Sequence, residues 1–449
     1  MLIIASDIHL GDGTCAGSIS PNAFFLLTQR LRELAFNASF QADGGYFPVD
    51  VIDLVLMGDI LDPLHSTRWF SDPDIRPWSD PACMGYAEKL HEITRAIFDE
   101  NQAACAVLKS LTSGEVIRLP AAVNAKPDFS SMEQICPQIN IHYMIGNHDW
   151  YYRLPGSEFD AIRQDIIDHL GLSNPKNNFP WESFEHPALL EIFKKHRVYG
   201  QHGDKYDRFN FDRQKGRDAG SIGDIFAVEV INRFPVVVQE ALGNEIPANL
   251  LEQLRQLTNV RPVLAVPLWI SSCIEQYSES KALIGKLKSL WDGMTDEFLD
   301  SDFLRQQNKP FKFDTVDAMK LVLKLSNKAS FQTIDDVIIW MRAQLWEDGL
   351  SYSAHALKEA SFLDQSARYI VYGHTHKNEV IPLDVNTRNP DIDRQIYFNS
   401  GTWHSFHDLA IRQPEAHKFI HYQAMTYLTF YSGSEAGKRS FESWSGVIG

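Results

Sequence analysis

The chain reads as an α/β protein. Two patterns predict this: short β-branched and aromatic runs that stop at glycines, and apolar stretches of helical period between them. A third observation concerns chemistry. Carboxylates, imidazoles and an amide recur directly after those strand ends, where open α/β folds gather functional groups.

The first run, Leu2 to Ala5, ends at Ser6-Asp7-Ile8-His9. Asp7 and His9 are two residues apart, so in an extended segment they point to one side. Taken alone, a turn-capping acid and a surface histidine explain the pair better. A helix is expected from Pro21 to Phe36, with Phe24, Leu27, Leu31 and Leu34 at helical spacing. The run Val51 to Met57 enters Gly58-Asp59-Ile60-Leu61-Asp62-Pro63. The glycine lets backbone come close, and Asp59 projects into the crevice beyond it. Asp62 is either a supporting partner of a site or a turn residue beside Pro63.

Residues 64–138 read as an insertion. Trp69, Pro73, Pro77, Trp78 and Pro81 mark an irregular loop, and one long helix is expected from Tyr86 to Leu111. His91 on that helix reads as a packing or solvated residue. The run Ile139 to Ile145 then leads into Gly146-Asn147-His148-Asp149. Asn147 can give a metal its carbonyl oxygen without adding charge. His148 is placed to act on a substrate, and Asp149 is expected to hold the other nitrogen of that imidazole and keep it protonated.

A short strand, Arg197 to Gly200, leads to Gln201-His202-Gly203-Asp204. From Lys205 to about Ser361 the pattern turns helical, with helices expected at 221–232, 249–257, 281–294, 315–325 and 333–345, forming a cap or lid. Strands return at Ala367 to Tyr372, which opens Gly373-His374-Thr375-His376, then at 379–383 and 395–398. One or two more are expected between His417 and Tyr431. His404 and His407 read as ordinary loop residues. The domain plan is a core in two parts, 1–204 and 362–449, around a mostly helical insertion at 205–361.

Composition narrows the function. The chain has 449 residues, and 42 Lys+Arg against 58 Asp+Glu give a formal charge of −16. That argues against broad capture of nucleic acid or anionic membrane and suits cation binding. Cys15, Cys83, Cys105, Cys136 and Cys273 form no CxxC pair. This argues against a thiolate zinc site and fits reduced thiols in a cytoplasmic setting. No signal peptide is expected, because the apolar N-terminus is short and lacks a basic flank. The apolar stretch from Pro262 to Cys273 is too short to span a bilayer.

The strand ends together supply Asp7, His9, Asp59, Asn147, His202, His374 and His376. Mixed nitrogen and oxygen ligation without thiolate suits divalent manganese, iron, zinc, cobalt or nickel, manganese first among them. Seven ligands exceed what one ion with an open position needs and suit two ions sharing a carboxylate. Two metals about 3.5–4 Å apart can clamp a phosphoryl group and acidify a water. Asp59, central in the set, is the natural bridge. His148 is left to protonate a leaving oxygen.

The order Asp7-Ile8-His9, Gly58-Asp59-Ile60-Leu61-Asp62, Gly146-Asn147-His148-Asp149, His202-Gly203-Asp204 and Gly373-His374-Thr375-His376 resembles the calcineurin-like metallophosphoesterase superfamily. The resemblance covers roughly residues 1–63, 139–204 and 362–405. It implies a four-layer α-β-β-α sandwich of two mixed sheets. It implies one ion on Asp7, His9, Asp59 and His376, and another on Asp59, Asn147, His202 and His374. It also implies hydrolysis of a phosphate ester or pyrophosphate bond by a metal-bridging hydroxide, with His148 touching the phosphate and assisting the leaving group. The His-Gly-Asp form looks like the branch of the UDP-2,3-diacylglucosamine pyrophosphatases. The insertion here is much larger than the cap of that branch, so its substrate does not carry over.

The expected partner is a phosphorylated small molecule. Lys205, Arg208, Arg213, Lys215 and Arg217 either bind its non-reacting phosphates or form a solvated loop interleaved with Asp207, Asp212 and Asp218. Trp150, Tyr151 and Tyr152 are read as aromatic wall packing rather than a stacking platform. Two alternatives are a DNA exonuclease of the same superfamily, disfavoured by the acidic balance, and a non-catalytic scaffold, disfavoured by the complete ligand set.

Overall fold

Apolar residues on both faces of short strands require cover on both sides, and this requirement shapes the architecture. The computed structural model describes the chain apart from residues 262, 279, 302–319, 321–322, 325–351, 386–391, 393, 411–417 and 449. In chain order the strands are β1 (Leu2–Ala5), β2 (Val51–Met57), β3 (Leu119–Val123), β4 (Lys126–Asp128), β5 (Gln134–Ile135), β6 (Gln138–Met144) and β7 (Val198–Gly200). Then come β8 (Val260–Arg261), β9 (Tyr369–Tyr372), β10 (Asn378–Asp384), β11 (Gln395–Ser400), β12 (Ser405–Leu409), β13 (Phe419–Phe430) and β14 (Phe441–Ile448).

The protein is mixed α/β. The main sheet has the order β6-β2-β1-β13-β12-β8, with β14 also on β13, and a second sheet runs β10-β11-β9-β7. The strands β1, β2 and β6 are parallel to one another, as are β7, β9 and β11. Side-chain alternation divides each strand between two cores. Leu2 and Ile4 of β1 and Val55 and Met57 of β2 share a cluster with Tyr369 and Val371 of β9 and Ile396 and Phe398 of β11. The two sheets therefore face each other across that cluster.

On the other side of the main sheet, Ile3, Ala5, Ile52, Leu54 and Leu56 pack with helices. These are α1 (Asn22–Ala38), α2 (Tyr86–Glu100), α3 (Gln102–Leu111) and α4 (Ser157–Leu170). The helix α5 (Pro187–His196) adds Leu189 and Phe193 to the inter-sheet cluster.

The single helix expected from Tyr86 to Leu111 is two. Asn101 breaks it at φ −110° and ψ 27°, and its amide nitrogen donates to the carbonyls of Ile97 and Gly11, both at 2.8 Å. A short amide that bonds backbone competes with the helix ladder. The 64–138 segment also holds the small antiparallel sheet β4-β3-β5, and α2 and α3 belong to the layer over the main sheet rather than to an appendage.

The segment after Lys205 forms α6 (Ile222–Phe226), a π-helical stretch over Ala227–Asn232, α7 (Arg233–Leu242), α8 (Ala248–Arg255), α9 (Val266–Tyr277) and α10 (Lys281–Leu299). These pack around their own cluster, which includes Phe234, Leu250, Leu254, Ile270, Leu287 and Trp291. The strand β8 joins this helical unit to the main sheet by parallel pairing with β12. The expected helices at 315–325 and 333–345 fall outside the described residues, apart from Lys320, Leu323 and Lys324. Two short helices, α11 (Tyr352–Ala356) and α12 (Ala360–Leu363), precede β9. Among the described residues no helix is long and apolar enough to cross a membrane.

His142 of β6 is buried with neither ring nitrogen hydrogen-bonded, and burial lowers its pKa from 6.5 to about 4. The folded value lies below the unfolded one, so neutral His142 favours folding above pH 6.5 and that stability is lost as pH falls towards 4. The loss is of order 3 kcal/mol. His142→Leu is expected to flatten the decline in stability between pH 7 and pH 5, read by urea unfolding at roughly those two values; a wild-type decline would contradict this.

Candidate metal centre

The parallel strands β1, β2, β6, β7 and β9 bring their carboxyl ends together, and all seven side chains expected as metal ligands lie there. Four His/Asp groups have ligand atoms close enough to hold a metal ion, and two of them consist wholly of expected ligands: Asp7 with His9 and His376, and Asp59 with His202 and His374. In the first group His9 Nε2 lies 3.1 Å from His376 Nε2, which is 3.3 Å from Asp7 Oδ1. In the second, His202 Nε2 lies 3.1 Å from Asp59 Oδ2. Asn147 Oδ1 joins it, 3.2 Å from His202 Nε2 and 2.9 Å from His374 Nδ1. His9 Nε2 approaches Asp59 Oδ2 at 3.9 Å, which links the two groups.

Three of the four imidazoles are held from behind. His9 Nδ1 pairs with Asp62 at 2.9 Å, His202 Nδ1 with the Met57 carbonyl at 3.1 Å, and His374 Nε2 with Asp207 at 3.1 Å. Each pairing leaves the other ring nitrogen turned to the centre, the arrangement that orients metal-ligating histidines. Asp62 is thus the supporting partner left open by the sequence, not a turn residue alone. The converging donors (carboxylate oxygens, an amide oxygen and imidazole nitrogens, with no thiolate) fit divalent metal.

The backbone is set for close convergence. Asp7, His9, Asp59, His374 and His376 all have positive φ, between 52° and 68°. Non-glycine residues rarely adopt this left-handed region, and such strain concentrates at functional sites. The motif glycines clear space for the ligands. A Cβ on Gly146 would overlap Asp59 Oδ1, one on Gly373 would sit 2.6 Å from Asp7 Oδ2, and one on Gly58 2.5 Å from His202 Nδ1.

Electrostatics follow from burial. Asp7 and Asp59 are 0% and 1% exposed. Burial alone would raise their pKa values, but the surrounding histidines, His202 foremost, outweigh it and lower both. Conversely, burial would lower His202, yet Asp59 and Asp7 raise it to about 10. His148 is raised to about 9: burial opposes, and Asp62 and Asp59 prevail.

The partner of His148 is not Asp149. His148 Nδ1 lies 3.1 Å from Asp62 Oδ2, while its backbone N–H donates to Asp59 Oδ1 at 2.8 Å. Asp149 is fully buried and accepts from the Tyr143 hydroxyl, Gly146 N and Ile60 N at 2.6, 2.6 and 3.0 Å. It ties the turn after β6 to the turn after β2. A carboxylate engaged by two backbone donors in neighbouring turns is committed there, and Asp62, reaching in from the loop after β2, takes the imidazole. Burial and then Asp59 push Asp149 up to about 7.

Trp150, Tyr151 and Tyr152 are buried wall residues. Arg208 and Arg213 are exposed, just beyond Asp207. Lys205 and Arg217 are taken by Glu182 and Asp204, at 3.1 and 2.6 Å. Three side chains at the site were not foreseen. Asp207 lay hidden in an acid-rich loop. His65 follows Asp62 by three residues, lies with Asp62 and His148 in a further group able to hold metal, and pairs with Asn232 of the helical unit at 2.9 Å. His404, expected as a loop residue, is buried with its ring centroid 5.2 Å from His9. Comparison of the chain with protein-family models, with curated proteins and with solved structures found no match.

The clearance at the glycines gives a direct test. Gly146→Ala and Gly373→Ala each displace a candidate ligand carboxylate and are expected to weaken manganese binding at least about tenfold by calorimetric titration. Gly17→Ala, where a Cβ meets nothing within 4 Å, serves as the control. Equal affinity in all three variants would show that the carboxylates do not hold metal.

Proposed function

We propose that the protein is a dimetal phosphoesterase of the calcineurin-like kind, hydrolysing a phosphate ester or pyrophosphate bond of a small molecule. The observation that carries this reading is the position of Asp59. It belongs to the group with His202 and His374 and also meets His9 and His148, as a carboxylate shared by two ions must. The two facing sheets with helices over the main one agree with the sandwich that the resemblance implies.

In this reading Asp7, His9, Asp59 and His376 hold one ion, and Asp59, Asn147, His202 and His374 hold the other. The pair, manganese first among the candidates, would supply charge neutralisation at the phosphate and acidify an attacking water. The chain's own contribution is geometric. Left-handed turns aim the ligands inward, and Asp62, Asp207 and the Met57 carbonyl fix the tautomers of the imidazoles behind them.

His148 is the acid for the leaving oxygen. Asp62 anchors its Nδ1, so Nε2 is the nitrogen open to a substrate. Its pKa of about 9 keeps it protonated at neutral pH, the form that donates a proton, and nearby cations would draw that value down towards neutrality.

Two variants separate binding from chemistry. Asp59→Asn is expected to abolish metal loading and hydrolysis of aryl phosphates together. His148→Asn should keep its metal and lose roughly 10²- to 10⁴-fold in kcat, most on substrates with poor leaving groups. Metal content and kcat are read on the same preparations. A wild-type protein that takes up no transition metal and stays inactive with added manganese would sink the proposal.

A further inference from the structure

Two polar side chains outside the candidate ligand set lie towards the His376 side of the centre, His404 from the loop before β12 and Arg261 from the helical unit. His404 is only 8% exposed, and its Nδ1 has no hydrogen-bond partner. Its ring lies 5.2 Å from His9 and 6.1 Å from His376, centroid to centroid. Among the described residues it belongs to none of the groups whose atoms can close on a metal ion. The fold leaves this Nδ1 without a partner, and an imidazole in either protonation state carries at least one N–H to donate.

Arg261 approaches the neighbouring Phe406 ring from the other part of the chain. The pairing of β8 with β12 sets it opposite Asp408. Its Nη1 donates to the carbonyls of Thr258 and Val260, both at 2.9 Å, which fixes the guanidinium. The guanidinium carbon lies 5.6 Å from the Phe406 ring centroid, and that ring is 5.6 Å from His404 and 6.0 Å from His376. Burial lowers Arg261 only to about 10, so it stays charged at neutral pH. Asp408 is engaged by the Tyr422 hydroxyl at 3.3 Å, and no ion pair joins Arg261 among the described residues. A fixed guanidinium and an unpartnered imidazole that both pack against the Phe406 ring are chemistry for an anion.

We propose that Arg261 and His404 form a recognition subsite for a second, non-reacting anionic group of the substrate. This rests on the phosphoesterase reading and narrows it: the preferred substrates carry two anionic groups, one at the metal centre and one at this subsite. The second group is a phosphate or a carboxylate.

The test uses the full chain loaded with manganese and freed of excess metal. Calorimetric titration compares methylphosphonate, which has one anionic group, with methylenediphosphonate and phosphonoacetate, which have two. The wild type is expected to bind one or both of the latter at least about tenfold more tightly, and which one is preferred tells phosphate from carboxylate. Arg261→Gln and, separately, His404→Leu should each reduce that advantage to about threefold or less, with Arg261→Lys keeping part of it. Equal affinity for all three probes in the wild type, or an advantage that survives both variants, overturns the subsite while aryl phosphate hydrolysis leaves the phosphoesterase reading standing. A loaded protein that binds no probe and hydrolyses no aryl phosphate overturns both.

Discussion

Two carboxylates buried in one crevice are the constraint on which the rest of this structure depends. Asp7 and Asp59 have lost nearly all contact with water, and an unpaired charge in such a place is costly enough to unfold a domain. The surrounding imidazoles offset it. Without metal they do so by holding protons, which is why His202 and His148 are raised to about 10 and about 9. A bound cation would take over that compensation, and His202 must then surrender the proton on the nitrogen that faces Asp59. Metal binding there would be coupled to proton release at the same atoms.

The same convergence explains the unusual backbone. Parallel strands end side by side, but their last side chains do not point at a common centre unless the chain turns sharply beyond them. The left-handed residues at Asp7, His9, Asp59, His374 and His376 supply those turns. Glycines at 146 and 373 allow one turn to press its backbone against the carboxylate of another. Asp149 then stitches two of the turns together through Gly146 N and Ile60 N. Its buried carboxyl shapes the site without addressing the imidazole next to it in sequence.

The helical unit is part of this site rather than a separate addition. Asn232 holds His65, and Asp224 accepts from the Trp150 indole at 3.3 Å. The strand β8 carries Arg261 to the edge of the main sheet. Three contacts from one inserted unit thus reach the surroundings of the candidate ligands.

The sequence by itself determined the strand ends and their chemistry. An apolar run, a glycine and then a ligand-type residue are local signals, so β1, β2, β6, β7, β9 and the seven candidate ligands were legible in the order of residues alone. Local patterning also showed α1, α8 and α10, while the helix broken at Asn101 and the unforeseen β8, β12 and β14 depended on contacts far along the chain. Tertiary structure alone decided who partners whom. Adjacency made Asp149 the obvious support for His148, yet the fold turns Asp149 into the backbone and brings Asp62 to the imidazole. His404 and Arg261 looked unremarkable because nothing in their own neighbourhoods marks them. Only the pairing of β8 with β12 carries Arg261 to the edge of the main sheet, and strand pairing between segments so distant in sequence is settled by burial and register across the whole molecule.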